Sequence, residues 1–279
     1  MLRNIVNGVS GTIRYKRRRG HLAFVTHRVS GIGVQRANIM GHLIETWIRD
    51  DVNTPLPVKI PAYLEKTYWW AYVHPNAVAF FERQWLVNLI LWGNFVRLRD
   101  AALNELGPKI HGRTLQIACV YGDFSVKLAQ RINEGGSLDI VDVLPIQLHN
   151  VRRKLPSHSH VRTLQSDAAK LKLADGSYDQ AIIFFLLHEQ PASTRAETLS
   201  EVLRVLKPGG KLVIVDYHQP SILHPLRYLF KPILKRLEPF ALDLWRQGIE
   251  RWLPKGFVPL EITKETFFGG LYQIMVIRR

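Results

Sequence analysis

Apolar and polar segments alternate regularly through the second half of the chain. From Gly112 onward, short apolar runs are separated by segments with helical spacing, which is typical of a parallel sheet covered by helices on both faces. The predicted strands are Thr114–Val120, Leu138–Val143, Val161–Gln165, Gln180–Leu187 and Lys211–Val215. Helices are predicted between them, including Ser125–Ile132 and Ser193–Leu206. The alternation predicts an α/β domain over residues 112–279.

Two more apolar runs, Val258–Thr266 and Leu271–Ile277, lie near the end of the chain and are joined through Gly269 and Gly270. This pattern indicates a closing hairpin, which would complete a mostly parallel sheet of seven strands. The segment KPGG, residues 207–210, is predicted to stop the preceding helix and turn the chain. Residues 219–256 form a predicted helical insertion before the last two strands.

A segment rich in aromatic residues precedes the first predicted strand. Three prolines between residues 55 and 61 mark a linker, and apolar residues recur at helical spacing from Pro75 onward. We therefore expect residues 58–111 to form a helical cap over the site at the sheet edge. We interpret most of the tryptophans in this segment as core residues; they are Trp69, Trp70, Trp85 and Trp92.

Charge is unevenly distributed along the 279 residues. The net charge is +15, and residues 1–44 carry eight Lys or Arg but no Asp or Glu. Residues 1–57 are predicted to be a basic N-terminal extension or a targeting leader. The basic run Tyr15–Arg19 lacks interleaved aromatic residues, which favours a membrane surface over nucleic acid as the partner. The single cysteine, Cys119, excludes an internal disulfide and a multi-cysteine zinc cluster, and we expect it to be a packing residue.

The predicted insertion contains a basic amphipathic stretch. Apolar residues such as Leu226, Leu229 and Ile233 alternate with Lys231 and Lys235. Such a helix can lie in a lipid interface, giving peripheral membrane contact, or it can form a soluble lid over an apolar substrate. Both interpretations remain open at this point. No apolar stretch of ~20 residues occurs that would span a bilayer.

The loop after the first predicted strand, QIACVYGDFS, departs from the usual nucleotide-binding pattern. That pattern has an acidic residue followed by three glycines, which let the backbone approach the ligand. Here Gln116 stands at the acidic position, Ala118 and Val120 replace two glycines, and Gly122 remains. Tyr121 lies where a loop side chain can touch the ligand.

Asp123 also lies in this loop, and we favour a role for it as the cap of the following helix over a role in a metal site.

Candidate ligand-binding residues follow the strands, because the carboxyl ends of parallel strands meet at one edge of the sheet. Asp142 ends the second predicted strand, where an acidic side chain can accept both ribose hydroxyl protons, and Val143 follows it. Asp167 and Ala168 follow the third strand, from which they can reach an adenine amino group. The alternative role for Asp167 is to cap a turn.

Two histidines follow neighbouring strands. His188 and Glu189 come after the fourth predicted strand, and Asp216 and His218 come after the fifth. Two imidazoles and up to two carboxylates can form a mixed nitrogen and oxygen site for a divalent ion such as manganese or iron. The alternative for each histidine is a hydrogen-bonded turn residue.

The motifs in this order resemble a known superfamily. VDVLPIQL, SDAAKLKLADGSYDQ, FFLLHE and EVLRVLKPGGKLVIVDYH resemble the class I S-adenosylmethionine-dependent methyltransferases, especially the ubiquinone and menaquinone C-methyltransferase branch. The segments TYWWAYVHPNAVAFFERQWLVNLILWGN, CVYGD and LLHEQP look like the narrower family of rhodoquinone-biosynthesis proteins called RquA. That likeness covers nearly everything after Pro61. It implies a Rossmann-like class I methyltransferase fold.

The resemblance also implies a reaction. RquA proteins are understood to convert ubiquinone to rhodoquinone, with S-adenosylmethionine as the amine donor and manganese assisting. The implied catalytic residues are Gln116, Tyr121 and His188, because Gln116 removes a negative charge that would keep the methionine amine protonated. The metal could bind that amine or polarise the quinone carbonyl. The implied location is the inner membrane, on its cytoplasmic face in a bacterium or its matrix face in a mitochondrion.

Two other functional classes stay open at the sequence level. An ordinary S-adenosylmethionine-dependent C- or O-methyltransferase acting on a quinone or another small apolar substrate would need only the fold and the cofactor. A catalytically silent binding protein would also explain the altered loop.

Overall fold

The computed structural model describes residues 17–18, 21–22, 58–68, 71–72, 75–155 and 160–279. The chain divides into two compact units, Met1–Pro57 and Val58–Arg279. In the first unit, two short strands, β1 (Arg17–Arg18) and β2 (His21–Leu22), pair in antiparallel fashion. The rest of the predicted basic leader lies outside the described residues.

A seven-stranded sheet forms the centre of the second unit. Its strands are β3 (Arg113–Ile117), β4 (Ser137–Asp142), β5 (Val161–Gln165), β6 (Tyr178–Phe184), β7 (Leu206–Tyr217), β8 (Glu261–Phe267) and β9 (Tyr272–Arg278). They lie in the order β5-β4-β3-β6-β7-β9-β8. The strands from β3 to β7 pair in parallel, and β9 pairs antiparallel with β7 and β8. The predicted mostly parallel sheet with a closing hairpin is confirmed.

Two predicted strands are shorter than their apolar runs. Ala118 has a φ of 66° and Phe185 a φ of 55°, and this left-handed conformation cannot continue a strand. β3 and β6 therefore each end three residues before the predicted end. By contrast, β7 begins five residues before its predicted start, so the KPGG segment belongs to a strand and not to a separate turn.

Helices cover the sheet and precede it. Before the sheet come α1 (Ala62–Thr67), α2 (Pro75–Phe81), α3 (Gln84–Ile90) and α4 (Phe95–Leu106). Between the strands lie α5 (Phe124–Ala129), α6 (Pro145–Lys154) and α7 (Ala192–Val205). The insertion contains α8 (Leu226–Leu237), α9 (Ala241–Gln247) and a 3-10 turn, Glu250–Trp252. No helix among the described residues is long and apolar enough to cross a membrane.

The core fills both faces of the sheet. One apolar cluster includes Phe95, Phe124 and Phe184, and Cys119 packs against it, as expected of a structural cysteine. The expectation that most of the cap tryptophans are core residues is wrong for two of them, because Trp85 is 59% exposed and Trp92 is 41% exposed. Trp85 lies on the exposed side of α3, and Trp92 lies in the turn that follows α3. Trp69 and Trp70 fall outside the described residues.

Arg195 on α7 ties the turn after β6 to the insertion. It is fully buried, and its guanidinium donates to the carbonyl oxygens of Leu187 at 2.8 Å, Gln190 at 2.9 Å and Phe240 at 3.0 Å. The same group lies over the ring of Trp252, 4.9 Å from its centroid. One side chain thus supplies the hydrogen-bond donors for three backbone carbonyls from two separate segments.

We expect Arg195→Met to lower the free energy of unfolding by about 2–4 kcal/mol, because three carbonyls lose their donors. Arg195→Lys should also be destabilised, since one ammonium cannot reach all three oxygens. Urea denaturation gives the free energies, and Arg246→Met at an exposed position of α9 is the matched control. Equal stability of the Arg195 and Arg246 variants would show that Arg195 does not hold the insertion in place.

Candidate functional site

A cavity of about 730 Å³ lies at the carboxyl ends of the central strands. It falls within the size range of about 300–1,000 Å³ that is usual for small-molecule sites. From β3 the chain first adds β4 and β5 on one side and then adds β6 and β7 on the other side, so the strand order switches next to β3. Ligands of open α/β sheets bind outside the strand ends at such a switch point. Predicted site residues that line the cavity are Ala118, Tyr121, Asp142, Val143, Asp167, Ala168 and His188.

Four other predicted residues do not line it, and these are Gln116, Gly122, Asp216 and His218.

The loop after β3 keeps the backbone shape of a glycine loop with fewer glycines. Ala118 adopts a φ of 66°, and Gly122 adopts a φ of 81°. At Gly122 a Cβ atom would lie 2.9 Å from Cζ of Phe95, so the residue also has to be small. A left-handed alanine costs about 1–2 kcal/mol relative to an ordinary conformation. The surrounding contacts therefore enforce a conformation that Ala118 alone would not adopt.

Gln116 is fully buried at the end of β3. Its Nε2 donates to the carbonyl of Ala118 at 2.9 Å and to the hydroxyl of Ser125 at 2.8 Å. Its Oε1 has no hydrogen-bond partner among the described residues. Gln116 therefore holds the loop through Nε2, and its unpaired oxygen is buried at the position where the usual sequence pattern has an acidic residue.

The side chain of Tyr121 connects the loop to the cap. Its ring stacks on Tyr72 at 5.7 Å and on Phe81 at 6.0 Å between centroids. Its hydroxyl donates to the carbonyl of Ala71 and accepts from Nε2 of Gln147, each at 2.8 Å. Burial raises the pKa of Tyr121, so the phenol stays protonated and serves as a donor.

Asp142 ends β4 and lines the cavity, at the position where the sequence predicts a contact with ribose hydroxyls. Its carboxylate accepts the N–H of Cys119 and the N–H of Leu144, each at 2.8 Å. Burial raises the pKa of Asp142 to about 6, although both hydrogen bonds favour the charged form. The carboxylate thus fixes the loop and the start of α6, and each oxygen keeps a lone pair for a ligand hydroxyl.

Asp167 caps a turn, which was the predicted alternative to ligand binding. Its Oδ1 accepts the N–H of Ala169 at 2.9 Å, while Asp167 and Ala168 both line the cavity. A turn-capping aspartate can also present its second oxygen to a ligand, so the two roles are compatible.

His188 and Asp216 form a buried pair on neighbouring strand ends. Nδ1 of His188 lies 2.8 Å from Oδ1 of Asp216. Asp216 also accepts the backbone N–H groups of Leu187 at 2.8 Å and Tyr217 at 2.7 Å. Burial alone would lower the pKa of His188, but the carboxylates of Asp216, Glu238 and Glu189 outweigh it and raise that pKa to about 9.

Two glutamates lie near the other ring nitrogen of His188. Nε2 of His188 lies 3.8 Å from Oε1 of Glu189 and 3.7 Å from Oε2 of Glu238. Tyr72 of the cap donates its hydroxyl to Glu189. Burial raises the pKa of Glu189 to about 8 and also raises the pKa of Glu238. His188, Glu189 and Glu238 therefore form a cluster of coupled titratable groups that lines the cavity.

The predicted metal site is not formed. Nδ1 of His218 lies 2.8 Å from the carbonyl oxygen of Gly270, so His218 has the turn role that was its alternative. β7 ends at Tyr217, and the chain carries His218 away from the cavity. Asp216 is occupied by backbone donors and His188. Among the described residues, no group of three or more His, Cys, Asp or Glu side chains is arranged to hold a metal ion.

Two ion pairs hold the loop from outside the cavity. Oε1 of Glu82 accepts from Lys154 at 2.6 Å and from the N–H of Gly122 at 3.2 Å. Asp123 occupies the N-cap position of α5 but makes no capping hydrogen bond; instead, Arg99 binds both of its carboxylate oxygens at 2.7–2.8 Å. The expected capping role of Asp123 is therefore wrong.

Several site residues were not identified from the sequence. Tyr72, Gln147 and Glu238 line the cavity, and each comes from a different segment. The aromatic run in the cap pointed to a cover over the site, but it did not distinguish Tyr72 from its neighbours. Nothing in the local sequence marks Gln147 or Glu238, because their roles depend on long-range packing.

Comparison with known proteins identifies relatives of this chain. The model of the ubiE/COQ5 methyltransferase family matches residues 86–252, more than half of the chain. A ubiquinone/menaquinone biosynthesis C-methyltransferase UbiE of Azotobacter vinelandii is 29% identical over 171 residues, covering 58% of this chain and 67% of that protein. A demethylmenaquinone methyltransferase of Staphylococcus aureus is 28% identical over 137 residues, covering 49% of this chain. The chain spans 56% of the length of that second relative.

Solved structures share the fold. The N-methyltransferase NodS from Bradyrhizobium japonicum WM9 superposes with a TM-score of 0.50 at 18% identity, covering 66% of this chain and 96% of NodS. A protein from Pyrococcus horikoshii OT3 superposes with a TM-score of 0.52 at 18% identity, covering 79% of this chain and 99% of that protein. The comparison confirms the predicted Rossmann-like methyltransferase fold.

The raised pKa of Asp142 predicts pH-dependent cofactor binding. Ribose hydroxyls donate to the carboxylate and favour its charged form, so binding should require deprotonation when the pH falls below about 6. We expect the affinity for S-adenosylmethionine to be full above pH 7 and to weaken as the pH falls through 6. Asp142→Asn should bind about 1–3 kcal/mol more weakly at pH 7.5 and lose this pH dependence. Calorimetric titration from pH 5.5 to 7.5 measures both, with Asp100→Asn at a half-exposed position of α4 as control.

Unchanged affinity and pH profile in Asp142→Asn would remove Asp142 from the cofactor site.

Proposed function

The chain belongs to the ubiE/COQ5 methyltransferase family, and we propose that it uses S-adenosylmethionine to convert ubiquinone to rhodoquinone, replacing a ring methoxy group with an amino group. The observation that carries this proposal is the loop after β3. Ala118 and Gly122 keep the left-handed backbone that glycines of the usual pattern favour. Gln116, which holds the loop from below, is uncharged where that pattern has an acidic residue. A loop altered in this way retains a cofactor site but no longer provides a negative charge for the methionine ammonium.

The loss of charge bears on the nucleophile. A carboxylate near an ammonium group raises the pKa of that group and keeps it protonated and unreactive. Gln116 presents an uncharged oxygen in the same place, so the neutral amine is easier to reach. That amine can then add to the ring carbon that carries the methoxy group. Loss of methoxide, which leaves as methanol with the proton from nitrogen, restores the quinone with a carbon–nitrogen bond. The quinone ring can then accept two electrons and the Cα proton from the methionine part, which leaves a hydroquinone carrying an imine. Water hydrolyses that imine, which releases the aminated ring as its hydroquinone and the rest of the cofactor as a 2-oxo acid.

The remaining part of the cavity suits an aromatic ring with polar edges. Phe185 packs edge-to-face on His188 at 6.0 Å and on Tyr217 at 5.6 Å between centroids. His188 is held by Asp216 through Nδ1, so its Nε2 is the nitrogen left to donate to a quinone carbonyl or to the departing methoxy oxygen. General-acid help of this kind typically contributes about 10²–10⁴ in rate.

No step in this proposal is assigned to a metal. Two of the predicted ligands, His188 and Asp216, pair with each other, but His218 bonds the carbonyl of Gly270 and does not line the cavity.

Methyl transfer to a quinone ring is the second candidate function, and the comparisons favour it more directly than amination. The relatives are named as C-methyltransferases of ubiquinone and menaquinone biosynthesis and as demethylmenaquinone methyltransferases. This reaction needs the same cofactor site and the same apolar ring pocket. Methyl transfer does not explain why Gln116 stands at the position that is usually acidic.

Doubly labelled cofactor separates the two reactions. S-adenosylmethionine carrying ¹⁵N in the amine and ¹³C in the methyl group is incubated with the full-length protein and ubiquinone, and the quinone product is analysed by mass spectrometry. We expect the ¹⁵N label in the product, with loss of one methoxy group and no ¹³C. A product carrying ¹³C would establish methyl transfer instead, and no product with any quinone would indicate a silent binding protein.

A variant at Gln116 tests the role of the missing charge. We expect Gln116→Glu to bind the cofactor as well as wild type but to aminate about tenfold more slowly, since a one-unit rise in the amine pKa corresponds to about 1.4 kcal/mol. The rate should recover as the pH rises, because the amine regains its neutral form. Cofactor titration and chromatography of the product across pH measure the two effects.

The matched control is Gln116→Met, which loses the same hydrogen bonds to Ala118 and Ser125 without gaining a charge. Rates that fall equally in both variants at every pH would show that Gln116 braces the loop and does not control the amine.

A further inference from the structure

Large apolar side chains are exposed on two helices that flank the cavity. On α3 and the turn after it, Trp85 is 59% exposed and Leu89 is 64% exposed. On α8, Tyr228 is 67% exposed and Leu229 is 47% exposed. We call this surface the docking face; its members are Trp85, Leu89, Ile90, Trp92, Tyr228, Leu229, Ile233 and Leu237.

The two halves of the docking face are in contact. The ring of Trp92 packs on Phe230 of α8 at 5.5 Å between centroids. Phe230 and Leu234 point into the core, so α8 buries one apolar stripe and leaves a second one exposed. Residues four apart on a helix share a side, which places Trp85 beside Leu89 and Leu229 beside Ile233.

The docking face is continuous with the mouth of the cavity. Five of its members, Leu89, Ile90, Trp92, Ile233 and Leu237, also line the cavity. A substrate that enters between α3 and α8 therefore moves along apolar side chains from the protein surface to the ring pocket. This arrangement fits a ligand with a long apolar tail that stays outside while its head group reacts.

The charged residues on the two segments that carry the docking face are all basic. Lys231, Lys235 and Arg236 are exposed on α8, and Arg83 and Arg97 are exposed on either side of α3. No Asp or Glu occurs between residues 83 and 99 or between residues 217 and 237. An apolar surface bordered by cations complements an anionic lipid headgroup layer above acyl chains. A second copy of the chain, docked about a two-fold axis, would bring the same cations together and be repelled.

We propose that the docking face lies on an anionic membrane surface and that the gap between α3 and α8 is the portal through which a polyprenylated substrate enters from the bilayer. The portal rests on the proposed function, whereas the membrane contact rests on the exposed residues alone. Trp85 and Leu229 are the most informative positions, because both are exposed in the docking face and neither lines the cavity.

Vesicle cosedimentation of the full-length protein tests the membrane contact. We expect binding to vesicles of phosphatidylcholine with phosphatidylglycerol, and high salt should weaken but not abolish it. The double variant Trp85→Ser with Leu229→Ser should bind roughly tenfold or more weakly, because the lost apolar area no longer enters the interface. Its matched control is Val258→Ser with Leu260→Ser, two residues that are 84% and 74% exposed outside the docking face.

The charged border is tested in the same assay. Lys231→Gln, Lys235→Gln and Arg236→Gln together should reduce binding to anionic vesicles more than Lys127→Gln, Arg251→Gln and Lys255→Gln, which remove the same charge elsewhere. All variants keep the basic leader, so attraction of that segment to lipid cannot produce a difference between them. Equal binding of the docking-face variants and their controls would overturn the membrane contact.

A second assay tests the portal. The docking-face double variant should keep the wild-type rate on a short-tailed, water-soluble quinone and lose rate on a long-tailed quinone embedded in vesicles. An equal loss on both substrates would overturn the portal. If wild type turns over neither quinone while only the docking-face variants lose vesicle binding, the membrane contact stands and the proposed function fails.

Discussion

The carboxylate of Asp216 fixes the geometry on which the site depends. It is fully buried at the end of β7, and it accepts the backbone N–H groups of Leu187, His188 and Tyr217 as well as Nδ1 of His188. These bonds hold the 3-10 turn Leu187–Glu189, which follows β6, against the end of β7. A buried carboxylate without such donors would be strongly unfavourable, so the turn and the carboxylate require each other. His188 enters the cavity with only Nε2 available because of this arrangement.

The cap provides contacts that the altered loop cannot supply for itself. Glu82 binds the N–H of Gly122 and the ammonium of Lys154, and Arg99 binds the carboxylate of Asp123. Tyr121 stacks between Tyr72 and Phe81, which places an aromatic layer from the cap directly over the loop. The cap contacts thus hold Tyr121, Gly122 and Asp123, whereas Ala118 is held from the sheet: its N–H donates to the carbonyl of Val141 at 2.8 Å, and its carbonyl accepts from Gln116 at 2.9 Å. Loop and cap behave as one structural unit around the cavity.

The sequence predicted the sheet well because apolar alternation reports directly on burial. It predicted the positions of Asp142, Asp167 and His188 at the cavity for the same reason, since strand ends follow from strand assignments. It did not predict that Ala118 and Phe185 would end their strands, because left-handed backbone at non-glycine residues depends on tertiary contacts.

The errors at His218 and Asp123 have a related cause. Their partners, Gly270 and Arg99, lie 52 and 24 residues away along the chain. A local pattern shows which residue types follow a strand, but it does not show which distant group each will bind. The prediction that most of the cap tryptophans are core residues failed at Trp85 and Trp92 for a similar reason. Aromatic residues at helical spacing are equally suited to a core and to a membrane interface, so the local pattern cannot distinguish the two.

The structure separates the residues that shape the cofactor site from those that set its charge. The shape of the site depends on the left-handed backbone at Ala118 and Gly122 and on the two N–H groups that donate to Asp142. These features are present although two glycines of the usual pattern are replaced. The side chain beneath the loop, Gln116, does not line the cavity and is uncharged, whereas the usual pattern has an acidic residue at this position. A carboxylate at this position would act over several ångströms in a buried setting, so its absence is the feature on which the proposed amination depends. Under that proposal, a methyltransferase fold takes up a different reaction while the loop geometry stays in place.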